Sequence, residues 1–339
     1  MRRFSASELI LALAILLPVV SLLSMTVGTV SISLGDLFAA DNSQAGSNQV
    51  STILFDIRLP RILLAICVGA VLSSTGAVMQ GLFRNPLADP SLIGVSSGAS
   101  VGASLMIVAA GGFIHSGALL GLSLVAVGAF VGGFVATLLV YRLATSGIGT
   151  SVTTMLLAGI AIAAIAGALN SLLSYFSDND MLRQISLWQM GNLSGASWTK
   201  VSIMAAVALL LMAQFPRDSR ALNALLLGES EARHLGVDVQ AVKRRLILLT
   251  ALGVGVCVAL AGLVGFVGLI IPHMVRLAIG PDHRWLIPAS ALAGATLLVF
   301  ADSLARIVVI PAELPTGILT ALLGAPFFVA LLLQQRKQV

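Results

Sequence analysis

Charged residues are scarce in this chain of 339 residues, at 10% of the composition. A soluble domain carries about 25%. Hydrophobic residues make up 58%, and the mean hydropathy is +1.03. So little charge excludes an ordinary soluble protein and any basic soluble domain that could bind nucleic acid. The formal charge of +5 is therefore a topological signal, to be interpreted by the position of each basic residue along the chain.

The sequence also lacks the signatures of ATP binding and of common catalysis. The only lysines are Lys200, Lys243 and Lys337, and none follows a glycine, so the chain contains no P-loop. There is no His-Glu-x-x-His motif, and the four histidines are too dispersed to predict a metal site. Cys67 and Cys257 both fall within apolar runs, where they are interpreted as small buried residues. We therefore expect no enzymatic activity and no cofactor bound by the chain itself.

One literal match to a hydrolase motif remains, because residues 94–98 read Gly-Val-Ser-Ser-Gly. A nucleophile elbow needs a strand before the serine and a helix after it. Here the motif opens an apolar run after a proline-bearing loop, and no histidine is evident at the depth of Ser96. An intramembrane serine hydrolase is thus an unfavoured alternative.

Apolar runs of about twenty residues fill most of the chain, and a helix of that length crosses the hydrocarbon core of a bilayer. In lipid the backbone must satisfy its own hydrogen bonds, so these runs predict helices. We predict an all-α integral membrane protein, with a single polytopic transmembrane domain over residues 1–339. The ten predicted spans are 9–31, 60–82, 91–110, 118–141, 150–176, 197–214, 241–264, 266–280, 285–306 and 317–333.

Lysine and arginine set the orientation, because cytoplasmic loops carry the excess of both. With both termini in the cytoplasm, the outer side holds only Arg58, Arg61, Arg183, Lys200 and Arg306. The rest of the 19 basic residues are then cytoplasmic. This asymmetry supports ten spans with both termini inside.

Glycines followed by a proline recur with similar spacing at residues 69–90 and 255–276. In the predicted topology the two stretches run in different directions, which suggests an inverted repeat of spans 2–5 and 7–10. Inverted repeats are common in transporters, with the substrate path at their interface. Two outer loops, 32–57 and 177–196, are long enough to carry function.

The cytoplasmic loop 215–240 is the only charge-rich stretch of the chain. We predict two short helices in it, broken at Gly228, with Ser230 capping the second helix and Gly236 ending it. Such a loop presents a compact, charged and partly apolar surface to a partner in the cytoplasm.

The residues that interrupt the apolar runs form an ordered set of motifs. They include Arg58-Leu59-Pro60-Arg61, Asn85-Pro86-Leu87-Ala88-Asp89-Pro90, Gly94-Val95-Ser96-Ser97-Gly98, Leu235-Gly236-Val237, Gly265-Phe266-Val267-Gly268-Leu269, Glu313-Leu314-Pro315 and Gly324-Ala325-Pro326. Between about residues 55 and 333 the chain resembles the FecCD-type permeases, the membrane subunits of bacterial ABC importers for iron-siderophores, haem and cobalamin. It looks most similar to the haem-uptake permeases.

The resemblance implies a multi-pass protein of the bacterial inner membrane that works as a homodimer. Its expected partners are two cytoplasmic ATP-binding subunits and a periplasmic substrate-binding protein. It would move an iron-containing chelate, with haem preferred, from periplasm to cytoplasm by alternating access. A ferric siderophore or cobalamin is the alternative within the family. A secondary transporter driven by an ion gradient is disfavoured, because no pairs of intramembrane carboxylates occur.

The resemblance also implies roles for individual residues. Arg58, Arg61 and Arg306 would be exposed on the outer face, where guanidinium groups bind carboxylates of the binding protein. The alternative for these arginines is contact with lipid headgroups. Ser151 and Thr153 would lie at the cytoplasmic gate, although Ser or Thr at this place equally predicts a helix N-cap. The residues expected to couple to the ATPase are Gly228, Glu229, Ala232, Leu235 and Gly236.

Two other groups of residues have structural interpretations. Residues 85–90 are predicted to form a tight cytoplasmic turn, because a proline restricts the residue before it. Met79, Met155 and Met190 could face a substrate path, but core filling is the simpler explanation for methionine.

Overall fold

The computed structural model describes residues 5–28, 50–109, 119–146 and 149–336. Most of the predicted outer loop 32–57 lies outside these ranges. Within them the regular secondary structure is helical, apart from a hairpin of β1 (Thr145–Ser146) and β2 (Gly149–Thr150). The helices are α1 (Ala6–Thr26), α2 (Leu59–Leu82), α3 (Val95–Ala109), α4 (Leu119–Ala144), α5 (Val152–Tyr175), α6 (Asn179–Gln189), α7 (Trp198–Gln214), α8 (Ser219–Leu227), α9 (Glu229–His234), α10 (Val239–Ala261), α11 (Val267–Ile279), α12 (His283–Ala305) and α13 (Thr316–Arg336).

Ten of these helices coincide with the ten predicted spans: α1 to α5, α7 and α10 to α13. In the described ranges, seven helical stretches are long and apolar enough to cross a membrane, and α3, α11 and the described apolar part of α13 are shorter apolar helices. The predicted all-α membrane architecture is confirmed. Ten crossings, as the sequence predicts, would bring the first and last spans back to the same side.

Short polar side chains mark where many of the helices begin. Each accepts a hydrogen bond from a backbone N–H of the first turn, which would otherwise lack a partner. At α1 this is a full capping box, because Ser5 and Glu8 bond to each other's backbone N–H. The N-cap residues with such bonds are Ser5, Ser151, Asp178, Ser197, Asp238 and Asp282.

Helix α2 lies at the centre of the bundle and packs against α7, α10, α11 and α12. Glycines allow the closest approaches. A Cβ atom built on Gly76 would lie 1.9 Å from the carbonyl oxygen of Gly268, and one on Gly69 would lie 2.4 Å from that of Gly294. Without a hydrophobic driving force between helices, such close backbone packing stabilises a membrane bundle.

Helix α5 lies at the edge of the subunit. Its buried residues are Met155, Ala158, Gly159 and Ala166, which form one narrow stripe, and the rest of its circumference is largely exposed. Helix α1 is also peripheral and packs mainly on α12. These two helices therefore face lipid or another chain.

The pairing of the two halves fits the suggested repeat. Helix α2 packs against α11 and α12, and α10 packs against α3 and α4. An inverted repeat of spans 2–5 and 7–10 relates these contacts to each other, because it exchanges α2 with α10 and α4 with α12. The repeat itself stays a prediction.

Two segments differ from the sequence-based expectation. The outer loop 177–196 contains a helix, α6, which is capped by Asp178 and buries Ile185. Residues 85–88 form the predicted tight turn, in which the backbone N–H of Ala88 bonds to the carbonyl oxygen of Asn85 at 3.1 Å, but the turn does not extend to residue 90. A Cβ atom on Gly268 would lie 2.8 Å from the carbonyl oxygen of Leu72 and 3.3 Å from Pro90. Because Leu72 lies midway along α2, the chain returns into the bundle before α3 begins.

Candidate functional site

Three arginines meet at the predicted outer end of the bundle, but they are buried. Arg58, Arg61 and Arg306 are 5%, 4% and 3% exposed. The expectation of exposed guanidinium groups is therefore wrong. A buried cation needs partners, and Arg61 has two: its Nε donates to both carboxylate oxygens of Asp302 at 3.0 and 2.9 Å, and its Nη1 donates to Glu313 at 2.7 Å.

The other two arginines bond to the end of α1. Arg58 donates to the carbonyl oxygen of Met25, and Arg306 donates to that of Val27 at 2.9 Å. Arg306 also lies 3.4 Å from the Asp302 carboxylate. The arginine cluster thus ties α1, α2 and α12 together, and Glu313 adds the segment before α13.

A cavity of about 140 Å³ adjoins this cluster and is lined by polar and apolar groups. Arg61 contributes an Nη2 atom that has no hydrogen-bond partner among the described residues. This space, with guanidinium groups on its walls, suits a carboxylate. The lining residues are Gly28, Ile53, Ile57, Arg58, Arg61, Arg306 and Glu313.

A larger cavity of about 380 Å³ lies beside the middle of α2. Its walls are mostly apolar, with Leu72, Val254 and Val258 among them, and the returning segment before α3 adds Asp89 and Ser91. Phe266, which precedes α11, also lines it and adopts a left-handed backbone conformation with φ of 68°. A half-length helix beside a cavity at mid-depth is a common arrangement in transporters.

The methionines are mostly core residues. Met79 and Met155 are fully buried in the hydrophobic core, so core filling is confirmed for both. Met190 is 40% exposed and follows the last residue of α6.

The cytoplasmic loop 215–240 forms the two helices expected, α8 and α9, broken at Gly228 with φ of 126°. Gly228 itself occupies the N-cap position of α9, so the predicted capping by Ser230 is wrong. Gly236, with φ of 82°, ends α9 as predicted. Its N–H bonds to Arg233 and the next N–H bonds to Ala232, which is the Schellman pattern.

Side-chain bonds hold this loop to two membrane helices. Asp218, just before α8, pairs with Arg245 of α10. Glu229, the first residue of α9, pairs with Lys243 of α10 at 2.7 Å. Any force applied to the loop is therefore carried directly to α10.

Asn223 of α8 makes the connection to α12. Its Oδ1 accepts a bond from the backbone N–H of His283 at 2.9 Å, and its Nδ2 donates to Asp282 at 2.7 Å. Asp282 caps α12, and hydrogen bonds from the Arg284 side chain hold the pKa of Asp282 well below its usual range. The carboxylate is therefore ionised throughout the physiological range.

The five residues predicted for coupling have different environments. Leu235 is 64% exposed, and Glu229 is half-buried in its ion pair. Ala232 is fully buried, so it supports the fold of the loop and touches no partner directly. Gly228 and Gly236 shape the backbone. Leu227, which the sequence analysis did not single out, is 69% exposed and adds to the apolar surface.

Ser151 and Thr153 lie at the start of α5, beside the β1–β2 hairpin. Ser151 is the N-cap of α5 and accepts a bond from the backbone N–H of Thr154 at 3.3 Å. The capping interpretation is therefore correct for Ser151. Both side chains are exposed. They are therefore accessible to a substrate or to a second chain.

A multi-pass membrane permease, with a buried ionic cluster at one end and a tethered helical loop at the other, is the class that this architecture defines. Comparison with known proteins identifies the family: the FecCD transport family matches residues 16–334, and the chain belongs to it. It is therefore the permease of an ABC importer and a multi-pass protein of the inner membrane. It is not an enzyme, since ATP hydrolysis resides in a separate subunit.

Individual relatives agree with this assignment. The chain is 45% identical over 326 residues to the hemin transport system permease protein HmuU of Yersinia pestis, covering 96% of this chain and 95% of the relative. It is 42% identical over 328 residues to the vitamin B12 import system permease protein BtuC of Shigella boydii, covering 97% and 95%. A solved metal-chelate type ABC transporter in an inward-facing conformation superposes with a TM-score of 0.84 and 35% identity, covering 97% and 99%.

Proposed function

We propose that this chain forms a homodimer that carries haem from the periplasm to the cytoplasm by alternating access. Members of the family work with ATPase subunits and substrate-binding proteins, and the proposal takes two ATPase subunits and one periplasmic binding protein per dimer. The loop 215–240 is proposed to couple ATP hydrolysis in the partner subunit to movement of the membrane helices. It joins an exposed apolar surface to α10 and α12 through buried or partly buried polar bonds.

The exposed faces of α5 and α13 support a second copy of the chain as the missing neighbour. Leu157, Ile160 and Leu172 of α5 and Leu322 and Leu323 of α13 are exposed. A path between two such subunits would pass Ser151 and Thr153 at its cytoplasmic end. We assign these two residues to the gate, because small hydroxyl side chains offer hydrogen bonds with little bulk.

We assign Arg58, Arg61 and Arg306 to docking of the binding protein. Because these arginines are buried, the binding protein would have to reach them through the small cavity. An acidic side chain of the binding protein would enter the small cavity and bond to guanidinium groups that are already oriented. Charge-assisted bonds of this kind are about twice as strong as neutral ones. Orientation by Asp302 and α1 lowers the entropic cost of binding.

Haem is proposed as substrate because a hemin transport permease is among the most similar relatives. The mostly apolar lining of the 380 Å³ cavity beside α2, with a few polar groups, suits contact with part of a large, flat and mostly apolar chelate. The vitamin B12 permeases are almost as similar, so cobalamin is the second candidate. A ferric siderophore is the third.

The test is substrate capture by the purified permease–ATPase complex in proteoliposomes, with its binding protein outside. We expect ATP-dependent accumulation of haem, detected by the Soret band of the vesicle contents. An ATPase subunit with a disabled P-loop is the control and should abolish accumulation. Accumulation of cobalamin or a ferric siderophore with no haem uptake would reject haem and retain the family function.

A further inference from the structure

Lys243 is almost fully buried, although it begins a run of three basic residues that looks cytoplasmic in the sequence. It lies in the first turns of α10 and is 1% exposed. Its ammonium group donates to Glu229 Oε1 at 2.7 Å and to the backbone carbonyl oxygen of Thr150 at 2.9 Å. One side chain therefore touches both the loop 215–240 and the segment that leads into α5.

The contact with Thr150 is reinforced from the same helix. Gln240 Oε1 accepts a bond from the backbone N–H of Thr150 at 3.1 Å, so both backbone groups of this residue are bonded to α10. Thr150 also bonds through its side chain to Thr145 across the hairpin at 3.0 Å. The next residue, Ser151, caps α5. The inner end of α5 is thus held to α10 by a short and specific set of bonds.

We infer that Lys243 is the positioning residue that transmits movement of α9 to the cytoplasmic gate at Ser151 and Thr153. This inference rests on the proposed function, in which the loop 215–240 receives the ATP-driven motion. Glu229 is the first residue of α9, and Thr150 directly precedes the N-cap of α5. Lys243 is in direct contact with both.

The energetic reason lies in the burial of the ammonium group. Removing one partner from a buried ion pair leaves an uncompensated charge, which is strongly unfavourable. If α9 moves, the ammonium group of Lys243 therefore either moves with Glu229 or loses the ion pair that stabilises its buried charge. Because the same group holds the Thr150 carbonyl, a shift of Lys243 alters the anchoring of the hairpin and of α5.

The test compares K243M with R244M. Methionine keeps the length of the lysine side chain and removes its charge, and Arg244 is the exposed neighbour on the same helix. Gate opening is followed by labelling T153C with a membrane-impermeant thiol reagent, with and without ATP, in a background in which Cys67 and Cys257 are replaced by alanine. The protein is the whole permease–ATPase complex in proteoliposomes, and its ATPase rate is measured in parallel.

We expect K243M to retain ATPase activity while the ATP-dependent change in T153C labelling falls about tenfold, within the usual range of coupling energies. R244M should behave as wild type. If K243M does not assemble, E229Q decides, because it removes the ion pair and leaves the lysine bonded to Thr150. Wild-type labelling responses in whichever of these variants assembles would overturn the inference.

A third variant separates failure of this inference from failure of the proposed function. L235S changes only the exposed apolar surface of the loop. If L235S abolishes the labelling response and K243M retains it, the loop receives the motion but Lys243 does not transmit it. If L235S and K243M both respond as wild type, the loop is not the coupling element, and both proposals fail.

Discussion

At the scale of single residues, each buried charged side chain in the part of the chain that the structure describes connects two elements. Arg61 joins α2 to α12 through Asp302, and Lys243 joins α10 to α9 through Glu229. In the outer cluster Arg61 is also paired with the carboxylate of Glu313, whose side chain is about one-third exposed. In the proposed docking, an acidic group of the binding protein would therefore compete with Glu313 for Arg61.

This competition predicts that E313Q strengthens docking of the binding protein. The neutral side chain no longer competes for Arg61, so we expect about a fivefold lower Kd at low ionic strength, as for a partly exposed ion pair. The gain should shrink as salt rises, because exposed charges are screened over about 8 Å at physiological ionic strength. The measurement is a Kd series against salt for the permease–ATPase complex.

R183Q is the matched control for this series, since Arg183 is exposed on α6 at the same predicted side of the membrane. Its Kd should equal that of the wild type. A higher Kd for E313Q than for wild type would show that Glu313 assists docking, and the competition would be wrong.

The sequence identified the charged residues but not their environment. Arg61 lies 241 and 252 residues from its two partners, so no local pattern reveals the pairing. Lys243 precedes Arg244 and Arg245, and the positive-inside rule explains all three equally well. The signal that separates Lys243 from its neighbours is its place on the buried face of α10, which is weak in a single helix.

At the scale of elements, glycine decides how closely the helices pack. The crossing of α2 with α11 at Gly76 and Gly268 leaves no room for a methyl group. Gly167 of α5, by contrast, has nothing within 4 Å of its position for a Cβ atom. Glycine therefore permits close helix packing at the centre of the subunit, whereas Gly167 at its edge has no packing role within the subunit.

We predict that G76A destabilises the permease and that G167A does not. A Cβ atom on residue 76 would force the backbones apart, and overpacking typically costs about 1–3 kcal/mol. The measurement is thermal unfolding of the purified permease in detergent, where G76A should have a lower Tm. An equal loss of Tm in G167A would mean that this face of α5 is closely covered in the dimer, so the pair also reports on the interface.

Hydropathy predicted the spans well because length and apolarity alone define a helix in lipid. Hydropathy did not predict α6 or the returning segment before α3, because neither is a long apolar run. Both carry polar residues, and what places them is contact with the bundle: Ile185 is buried at α6, and Pro90 packs beside Gly268. Such contacts depend on the tertiary structure.

At the scale of the whole molecule, α12 connects the two candidate sites. It begins at His283, which is bonded to Asn223 of the loop, and carries Asp302 of the outer cluster near its other end. Its 23 residues span about 34 Å. An element that bonds to both sites would give the proposed docking at one end a physical connection to the proposed ATPase contact at the other.

We predict that L235S weakens association of the ATPase subunits and that L187S does not. Leu235 and Leu187 are both exposed leucines, but Leu187 lies on α6 at the opposite predicted side. Losing most of an apolar side chain from the interface should raise the Kd about tenfold. The measurement is co-purification of the ATPase with the permease over a dilution series. Equal retention of the ATPase by both variants would remove Leu235 from the contact.

The bonds of the outer cluster to α1 have a consequence for biosynthesis. The two acceptor residues, Met25 and Val27, are synthesised before the arginines that donate to them. Arg58 follows Met25 by 33 residues in the sequence, and Arg306 follows Val27 by 279. Helix α1 therefore cannot complete its bonds to the cluster until α12, the last but one of the described helices, has been made. The order in which the helices leave the translocon thus sets when the outer end of the bundle can close.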